Sequence, residues 1–277
     1  MSSVPAAANP YQDLYIYYLS GRFQVGRDFT PDGYIGSWEE ADFSFLFFTR
    51  PNLEVVEATI GRRSDLKLLD HYHMTYDQWQ GEEALPRRIG RFLISPPWCA
   101  IDRNEADISI ILDPGVVFGT GTHPTTRDCL AALQLAFQDS SIRTALDLGT
   151  GSGLLALAAA HLGCRKVLAT DLNLLAARTA LHNIELNGLS HRIVVAQGDA
   201  EKFMDFTSDL VVSNIHYDVM KNLIHTRGFL EKRRFILSGL MRPEAARIES
   251  TLANLPVKIL QRWDQDGIWQ TFYGCSS

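Results

Sequence analysis

A doubly wound α/β sheet closed by an antiparallel hairpin, with a small α+β domain in front of it, is the fold class this sequence predicts. Three observations carry the expectation. From about residue 106, short apolar runs alternate with helical patterns. A glycine-rich turn, Gly149-Thr150-Gly151-Ser152-Gly153, follows one of those runs. The character of the chain changes near residue 85, from aromatic and acidic segments to this alternation. Short apolar strands alternating with helices form a parallel sheet covered on both faces.

Before residue 85, Leu14 to Leu19 and Phe43 to Phe48 are aromatic runs with the period of strands, whereas Leu53 to Ile60 fits either a strand or part of a helix. Phe43, Phe45 and Phe47 share one face of such a strand, which is read as a core face. His71 and His73 also share a face but lack a third ligand for a metal. Pro86, Pro96 and Pro97, set around Arg87, Arg88 and Arg91, mark an extended linker. The expected organisation is therefore an α+β domain over 10–85, a linker over 86–107 and an α/β domain over 108–277. Met1 to Pro10 is expected to fray.

In the second domain, Thr125 to Gln138 carries a helical apolar stripe with Pro124 in the first turn. Strands are expected at Thr144 to Leu148, Lys166 to Asp171, Ile193 to Ala196, Asp209 to Asn214 and Arg234 to Ser238. Helices are expected at Leu154 to Leu162 and near 173–187, 217–230 and 243–254. Val257 to Trp263 and Ile268 to Tyr273, joined at Asp266-Gly267, read as a hairpin that puts one antiparallel strand into the sheet.

Composition removes several classes. With 277 residues, 46% apolar and 21% charged, the chain has globular values and is long enough for one large or two modest domains. No apolar run approaches the roughly 18 to 20 residues of a bilayer span, and Met1 to Pro10 lacks the regions of a signal peptide, so a cytoplasmic protein without membrane contact is expected. Cys99, Cys129, Cys164 and Cys275 lie far apart with no CxxC pair, so neither disulfides nor zinc is expected. The net charge of −6 comes without a basic block and gives no direct nucleic-acid requirement. Residues 1–85 hold 6 Lys+Arg and 13 Asp+Glu, a net of −7. That excess is either a solvated surface or a means of steering a basic partner.

In doubly wound sheets a ligand sits beyond the carboxyl ends of the strands, where the glycine turn falls. Two parses compete. Gly151-Ser-Gly153-Leu-Leu-Ala156, with Asp171 some 20 residues on, fits a dinucleotide site and an NAD-dependent oxidoreductase. Asp147-Leu-Gly149-Thr-Gly151-Ser-Gly153 fits the D-x-G-x-G-x-G loop of S-adenosyl-L-methionine enzymes. A strand-end carboxylate at Asp147 opposes a pyrophosphate but suits a ligand that carries a sulfonium and an ammonium. On that reading Asp147, Gly149, Gly151 and Gly153 cradle the cofactor. Asp171 accepts from the ribose hydroxyls, and Asp199 accepts from the adenine amine. Each aspartate alone also fits a turn or helix cap. Asn214 ends a strand in Ser213-Asn214-Ile215-His216-Tyr217, where an amide oxygen can orient an acceptor amine. Tyr217 closes that turn.

One stretch is unusual: Leu112-Asp113-Pro114-Gly115-Val116-Val117-Phe118-Gly119-Thr120-Gly121-Thr122-His123-Pro124-Thr125-Thr126. It resembles the signature of the PrmA family, the class I methyltransferases that modify ribosomal protein L11. The segments Ile89 to Trp98, Leu146 to Ala158, Asp171 and Leu181-His182-Asn183-Ile184-Glu185-Leu186-Asn187-Gly188 follow in that family's order, so the resemblance covers roughly residues 87 to 274. It implies a Rossmann-like methyltransferase domain joined by a linker to an N-terminal substrate-recognition domain. It also implies cofactor contacts at Thr126, Gly149, Asp171 and Asn214, and an active site lined by the glycine-rich signature with His123. The expected activity is methyl transfer from S-adenosyl-L-methionine to amines, lysine ε-amines and the N-terminal α-amine, of a basic ribosomal protein. Lysine methylation of another protein is the alternative. The family usually carries Asn-Ile-Leu-Ala where this chain has Asn214-Ile215-His216-Tyr217, which adds bulk and polarity at the expected amine entrance. An adaptor that keeps the fold without catalysis is a third class.

Overall fold

The computed structural model describes residues 9–24, 29–81, 86–100, 104–139 and 141–276. The frayed tail expected over Met1 to Pro10 lies almost wholly outside them. The chain divides into two compact units. One comprises Met1–Leu85 with Asn173–Leu175, the other Pro86–Leu172 with Ala176–Ser277.

The first unit contains β1 (Asp13–Ser20), β2 (Tyr34–Glu40), β3 (Phe43–Phe48), α1 (Leu53–Ile60), β4 (Lys67–Thr75) and α2 (Tyr76–Gln80). Its strands form an antiparallel sheet in the order β2-β3-β1-β4. Leu53–Ile60 settles as a helix that buries Val56. Both faces of β3 carry core residues. On the expected face Phe47 is buried and meets Trp79, although Phe43 at its start is not buried, and the opposite face is core as well. Leu46 and Phe48 pack with Tyr17, Leu19 and Val56, while Phe43 is 38% exposed and stacks with Phe45 around Tyr18. Period-2 alternation identifies two faces but does not say which one receives the helix. Thr75 begins α2 with a capping box closed by Gln78.

The second unit begins where a linker was expected. Instead, β5 (Arg87–Ile89) and β6 (Phe92–Ser95) pair as a hairpin turning at Gly90, and β7 (Ile108–Ile111) adds parallel to β6. Phe92 and Ile94 are buried in the main core. Prolines flank these strands without entering their ladders, which is why the sequence reads as extended chain.

Then follow α3 (Pro124–Asp139), β8 (Thr144–Leu148), α4 (Leu154–His161), β9 (Lys166–Asp171), α5 (Leu174–Leu186), β10 (Ile193–Gln197) and α6 (Ala200–Phe203). The remainder is β11 (Leu210–Asn214), α7 (Tyr217–Leu223), α8 (Arg227–Leu230), β12 (Arg234–Met241), α9 (Arg242–Leu252), β13 (Val257–Gln265) and β14 (Trp269–Ser276). The seven strands β8–β14 lie in the order β10-β9-β8-β11-β12-β14-β13, parallel except for β14, which runs antiparallel to both of its neighbours. Along each central strand alternate residues serve opposite cores. Ala145, Val212 and Ile236 face α3 and α4, whereas Leu146, Val211 and Phe235 face α7, α8 and α9. Both faces are covered, so the central strands are mostly apolar, with Asp147 of β8 and Ser213 of β11 as buried polar positions. No described helix is long and apolar enough to cross a membrane.

Candidate functional site

At the carboxyl end of β8 the chain turns through Gly149, Gly151 and Gly153, with φ of +71°, +55° and +85°. Space makes the same demand as backbone angle. A Cβ on Gly149 would lie 2.2 Å from Ile215 Cγ2, and one on Gly151 2.4 Å from the Phe118 carbonyl oxygen. The loop is held on one side by β9. The Thr170 carbonyl accepts from the Gly149 and Thr150 amides at 2.9 Å each, and Asp171 Oδ2 accepts from the Gly151 amide at 3.0 Å. On the other side Ser152 docks the Phe118–Gly119 segment. Its amide donates to the Phe118 carbonyl at 2.9 Å and its hydroxyl to the Gly119 carbonyl at 2.7 Å.

Phe118, Gly119, Thr126, Gly149, Thr150, Gly151, Leu154, Leu155 and Asn214 line a cleft above this loop. It opens between the ends of β8 and β11, the adjacent strands from which the chain winds outward in opposite directions. That is the topological switch point, where open α/β sheets bind ligands. Among the expected site residues, Thr126, Gly149, Gly151 and Asn214 come together in the lining. Gly153 sits two residues beyond Gly151 as the N-cap of α4. Asp171 reaches the cleft floor through Gly151.

Three expected residues stand elsewhere. Asp147 is 2% exposed and lies outside the cleft lining. Its Oδ2 accepts from the Thr150 hydroxyl at 2.6 Å, and its Oδ1 is buried without a hydrogen-bond partner. Burial pushes this carboxyl up to about 7, against the Thr150 hydroxyl and the Ala156 amide, which favour the anion. Asp199 is the N-cap of α6 and accepts from the Glu201 amide at 3.0 Å. Tyr217 begins α7 with two cations over its ring, Lys221 Nζ at 5.6 Å and Arg247 Cζ at 5.9 Å from the centroid.

His123 closes the amino end of α3. Its carbonyl accepts from the Thr126 and Arg127 amides, its Nδ1 accepts from the Thr125 amide at 3.3 Å, and Nδ1 lies 2.7 Å from Thr125 Oγ1. Burial and the nearby Arg127 hold its pKa below the ordinary imidazole range, so the ring is neutral near pH 7. It stands between Phe118 and Trp269, with ring centroids 5.3 and 4.9 Å away, and shapes the cleft wall through Phe118.

Sequence reasoning gave no role to Thr150, Leu154 or Leu155, which line the cleft together with Phe118 of the glycine-rich signature. For Thr150, its position three residues after Asp147 across a turn was an available signal. Gly239 was also missed. It has φ +81°, and a Cβ there would lie 2.9 Å from Asn214 Oδ1, so β12 makes room for the Asn214 turn.

Among the described residues the lining contains no titratable side chain. Its chemistry is that of a shaped, part-apolar cleft with backbone amides, two threonine hydroxyls and one carboxamide. Thr126 Oγ1 is fully buried with no partner among the described residues, a polar atom for which a ligand can supply the missing bond.

A family model described as ribosomal protein L11 methyltransferase (PrmA) matches residues 57–275. The chain is similar to the ribosomal protein L11 methyltransferase of Desulfitobacterium hafniense, 42% identical over 186 residues, 66% of this chain and 58% of that protein. It is also similar to that of Enterococcus faecalis, 38% identical over 188 residues, 66% of this chain and 59% of that protein. The match thus spans less than two thirds of the length of these relatives. Among solved structures it resembles a ribosomal protein L11 methylase from Lactobacillus delbrueckii subsp. bulgaricus, with TM-score 0.59 and 28% identity, covering 69% of this chain and 96% of that one. Human methyltransferase 10 domain containing protein shares the fold at TM-score 0.50 and 18% identity, over 60% of this chain and 88% of that one.

Proposed function

The chain belongs to the ribosomal protein L11 methyltransferase family, and from that premise we propose that it is an S-adenosyl-L-methionine-dependent methyltransferase acting on amines of ribosomal protein L11, lysine ε-amines and the N-terminal α-amine. The observation that carries the reading is the cleft at the switch point, floored by Gly149 and Gly151, with the unsatisfied Thr126 hydroxyl and the Asn214 carboxamide on its sides. These residues fit the cofactor. The glycine floor admits close approach, the Thr126 hydroxyl lacks a partner, and Asp171 at the end of β9 presents a carboxylate suited to ribose hydroxyls. When bound, the cofactor supplies a methyl group on a positively charged sulfur, open to in-line displacement.

The chain's own contribution is positioning. The Asn214 side-chain oxygen accepts an N–H of the incoming amine and turns its lone pair toward the cleft. Phe118, Leu154 and Leu155 exclude water there. A lysine with a free pKa of about 10.4 must lose its proton before attack, a cost of about 5 kcal/mol at pH 7. With no titratable group among the described lining residues, an apolar wall that disfavours the ammonium lowers that cost. Asp147 and His123 act from behind, through Thr150 and Phe118. Residues 10–85, with their acidic excess, are the recognition domain of this reading and steer a basic protein toward the cleft in the cytoplasm.

Incubation with labelled S-adenosyl-L-methionine and either purified L11 or a cell extract, followed by mass spectrometry of the digested products, tests the proposal. Label on L11 lysines and its amino terminus is expected. Label on a different extract protein would replace the substrate, and no label on any protein would remove the activity.

A further inference from the structure

Among the described residues, Asp147 is the acidic group buried directly beneath the cleft floor, and the positioning mechanism above makes no direct use of it. It is the fourth residue of β8, and its side chain shares a sheet face with those of Ala169 and Val212, its register neighbours. Its two oxygens differ. Oδ2 takes the Thr150 hydroxyl at 2.6 Å, and Thr150 lines the cleft. Oδ1 is enclosed without a partner. The N-cap of α4 is Gly153, which has no side chain to offer, and the Ala156 amide of that helix favours the Asp147 anion. The carboxyl thus ties the glycine loop to the amino end of α4 from below, in a place that water does not reach.

We propose that Asp147 is a positioning residue that links occupancy of the cleft to proton release. It sets Thr150 and the loop without touching the ligand, and a cationic ligand seated above the loop draws it into the anionic form. The inference rests on the functional reading above, because the cofactor of that reading carries a sulfonium and an ammonium.

The balance is simple. Without a cation above the loop the carboxyl is desolvated, with one oxygen unsatisfied among the described residues, and holds its proton over the acid to neutral range. Asp171 of β9 and Asp147 repel as anions, while Cys129 of α3, fully buried and held as the neutral thiol, adds no charge. The described residues of α4 and β11 packed around Asp147 bring no charge, since β11 has no ionisable side chain and the only one on α4, His161, is at its far end. A cation above the loop favours the anion, and one proton leaves Asp147 for the solvent. No covalent bond is made or broken.

Isothermal titration calorimetry of the full chain with S-adenosyl-L-methionine tests this, run in two buffers of different ionisation enthalpy at pH 6, 7 and 8. About half a proton should be released per site at pH 7, more at pH 6 and little at pH 8. Asp147→Asn should bind without that release. Equal binding heats in both buffers at pH 6 and 7, or release by Asp147→Asn equal to that of the parent, would overturn the inference while leaving the functional reading intact. If the unmodified chain fails to bind the cofactor, the functional reading falls and the inference with it. Should Asp147→Asn not fold, Thr150→Val provides the second test. Without its hydroxyl donor the Asp147 anion is less favoured, so the release profile should move to higher pH. An unmoved profile would count against Asp147 as the source.

Discussion

Asn183 of α5 grips Asp113 with both ends of its side-chain amide. The Asp113 amide donates to Asn183 Oδ1 at 2.7 Å, and Asn183 Nδ2 donates to the Asp113 carbonyl at 2.9 Å. The same Nδ2 donates to the Ser152 carbonyl at 2.9 Å. A side chain thereby imitates a strand and joins the Asp113–Gly119 segment to the glycine loop, 70 and 31 residues away in sequence. One turn later Asn187 repeats the device on Ile111, accepting its amide at 3.0 Å and donating to its carbonyl at 2.6 Å.

Asn183→Ala should therefore lose about 2–4 kcal/mol of stability, since buried backbone groups of Asp113 and Ser152 are left unsatisfied. Urea unfolding measures it. A loss under about 0.5 kcal/mol would show that the clamp is replaced by water or rearrangement.

Gly151→Ala meets two obstacles, a backbone at φ +55° and a Cβ 2.4 Å from the Phe118 carbonyl oxygen. The left-handed conformation alone costs about 1–2 kcal/mol, and relief requires the Phe118 wall to move. Cofactor affinity should fall at least about tenfold by calorimetry, with circular dichroism unchanged. Unaltered affinity would mean that the wall does not shape the cofactor site.

Asp171→Ala removes the acceptor of the Gly151 amide together with the proposed ribose contacts. Binding should weaken by on the order of 1–3 kcal/mol. Undiminished affinity in equilibrium dialysis would contradict the assignment.

Asn214 and Tyr217 separate cleanly. Asn214→Ala should lower kcat by roughly 10–100-fold, because an amine that is no longer oriented attacks less often. Tyr217→Leu should leave kcat within about threefold, since the tyrosine ring is taken up by Lys221 and Arg247. Methyl transfer by the two variants at saturating cofactor decides this, and the reverse ranking would place the amine at the tyrosine.

The cofactor-free protein should also carry a pH signature. The folded Asp147 carboxyl, at about 7, lies above its unfolded value near 3.8, so the folded state binds the extra proton. Its contribution to stability is fully present below about pH 4 and is lost as pH rises from there to 7. Other carboxylates held low by partners, such as Asp209, slope the opposite way, so the parent is best compared with Asp147→Asn. The stability difference, parent minus variant, should decline between pH 5 and 7.5 in thermal unfolding. A flat difference would mean that Asp147 is ionised throughout.

Legibility in the sequence followed the range of the interactions. The strands and longer helices from Thr144 to Leu252 read correctly because apolar period and chain length are local, and burial on both sheet faces leaves mostly apolar runs. The four-residue α6 was missed, and the helix expected over 217–230 divides into α7 and α8. The hairpin of β13 and β14 was legible from Asp266-Gly267, two residues with positive φ. The small sheet of β5–β7 was not. Its strands are three or four residues long, and two of them, β6 and β7, pair across a gap from Ser95 to Ile108.

By itself the sequence determined the order of elements, the glycine loop at the end of β8, the acidic positions at neighbouring strand ends and the likeness to one methyltransferase family. Only the tertiary structure decided which acids face the cleft. Asp147 turned under the loop, because its alternation along β8 points it at α4. Asp199 capped α6, and Tyr217 met Arg247 from a helix 30 residues away. Spacing along a strand fixes where a side chain starts, whereas its partners come from whatever packing brings across from distant segments.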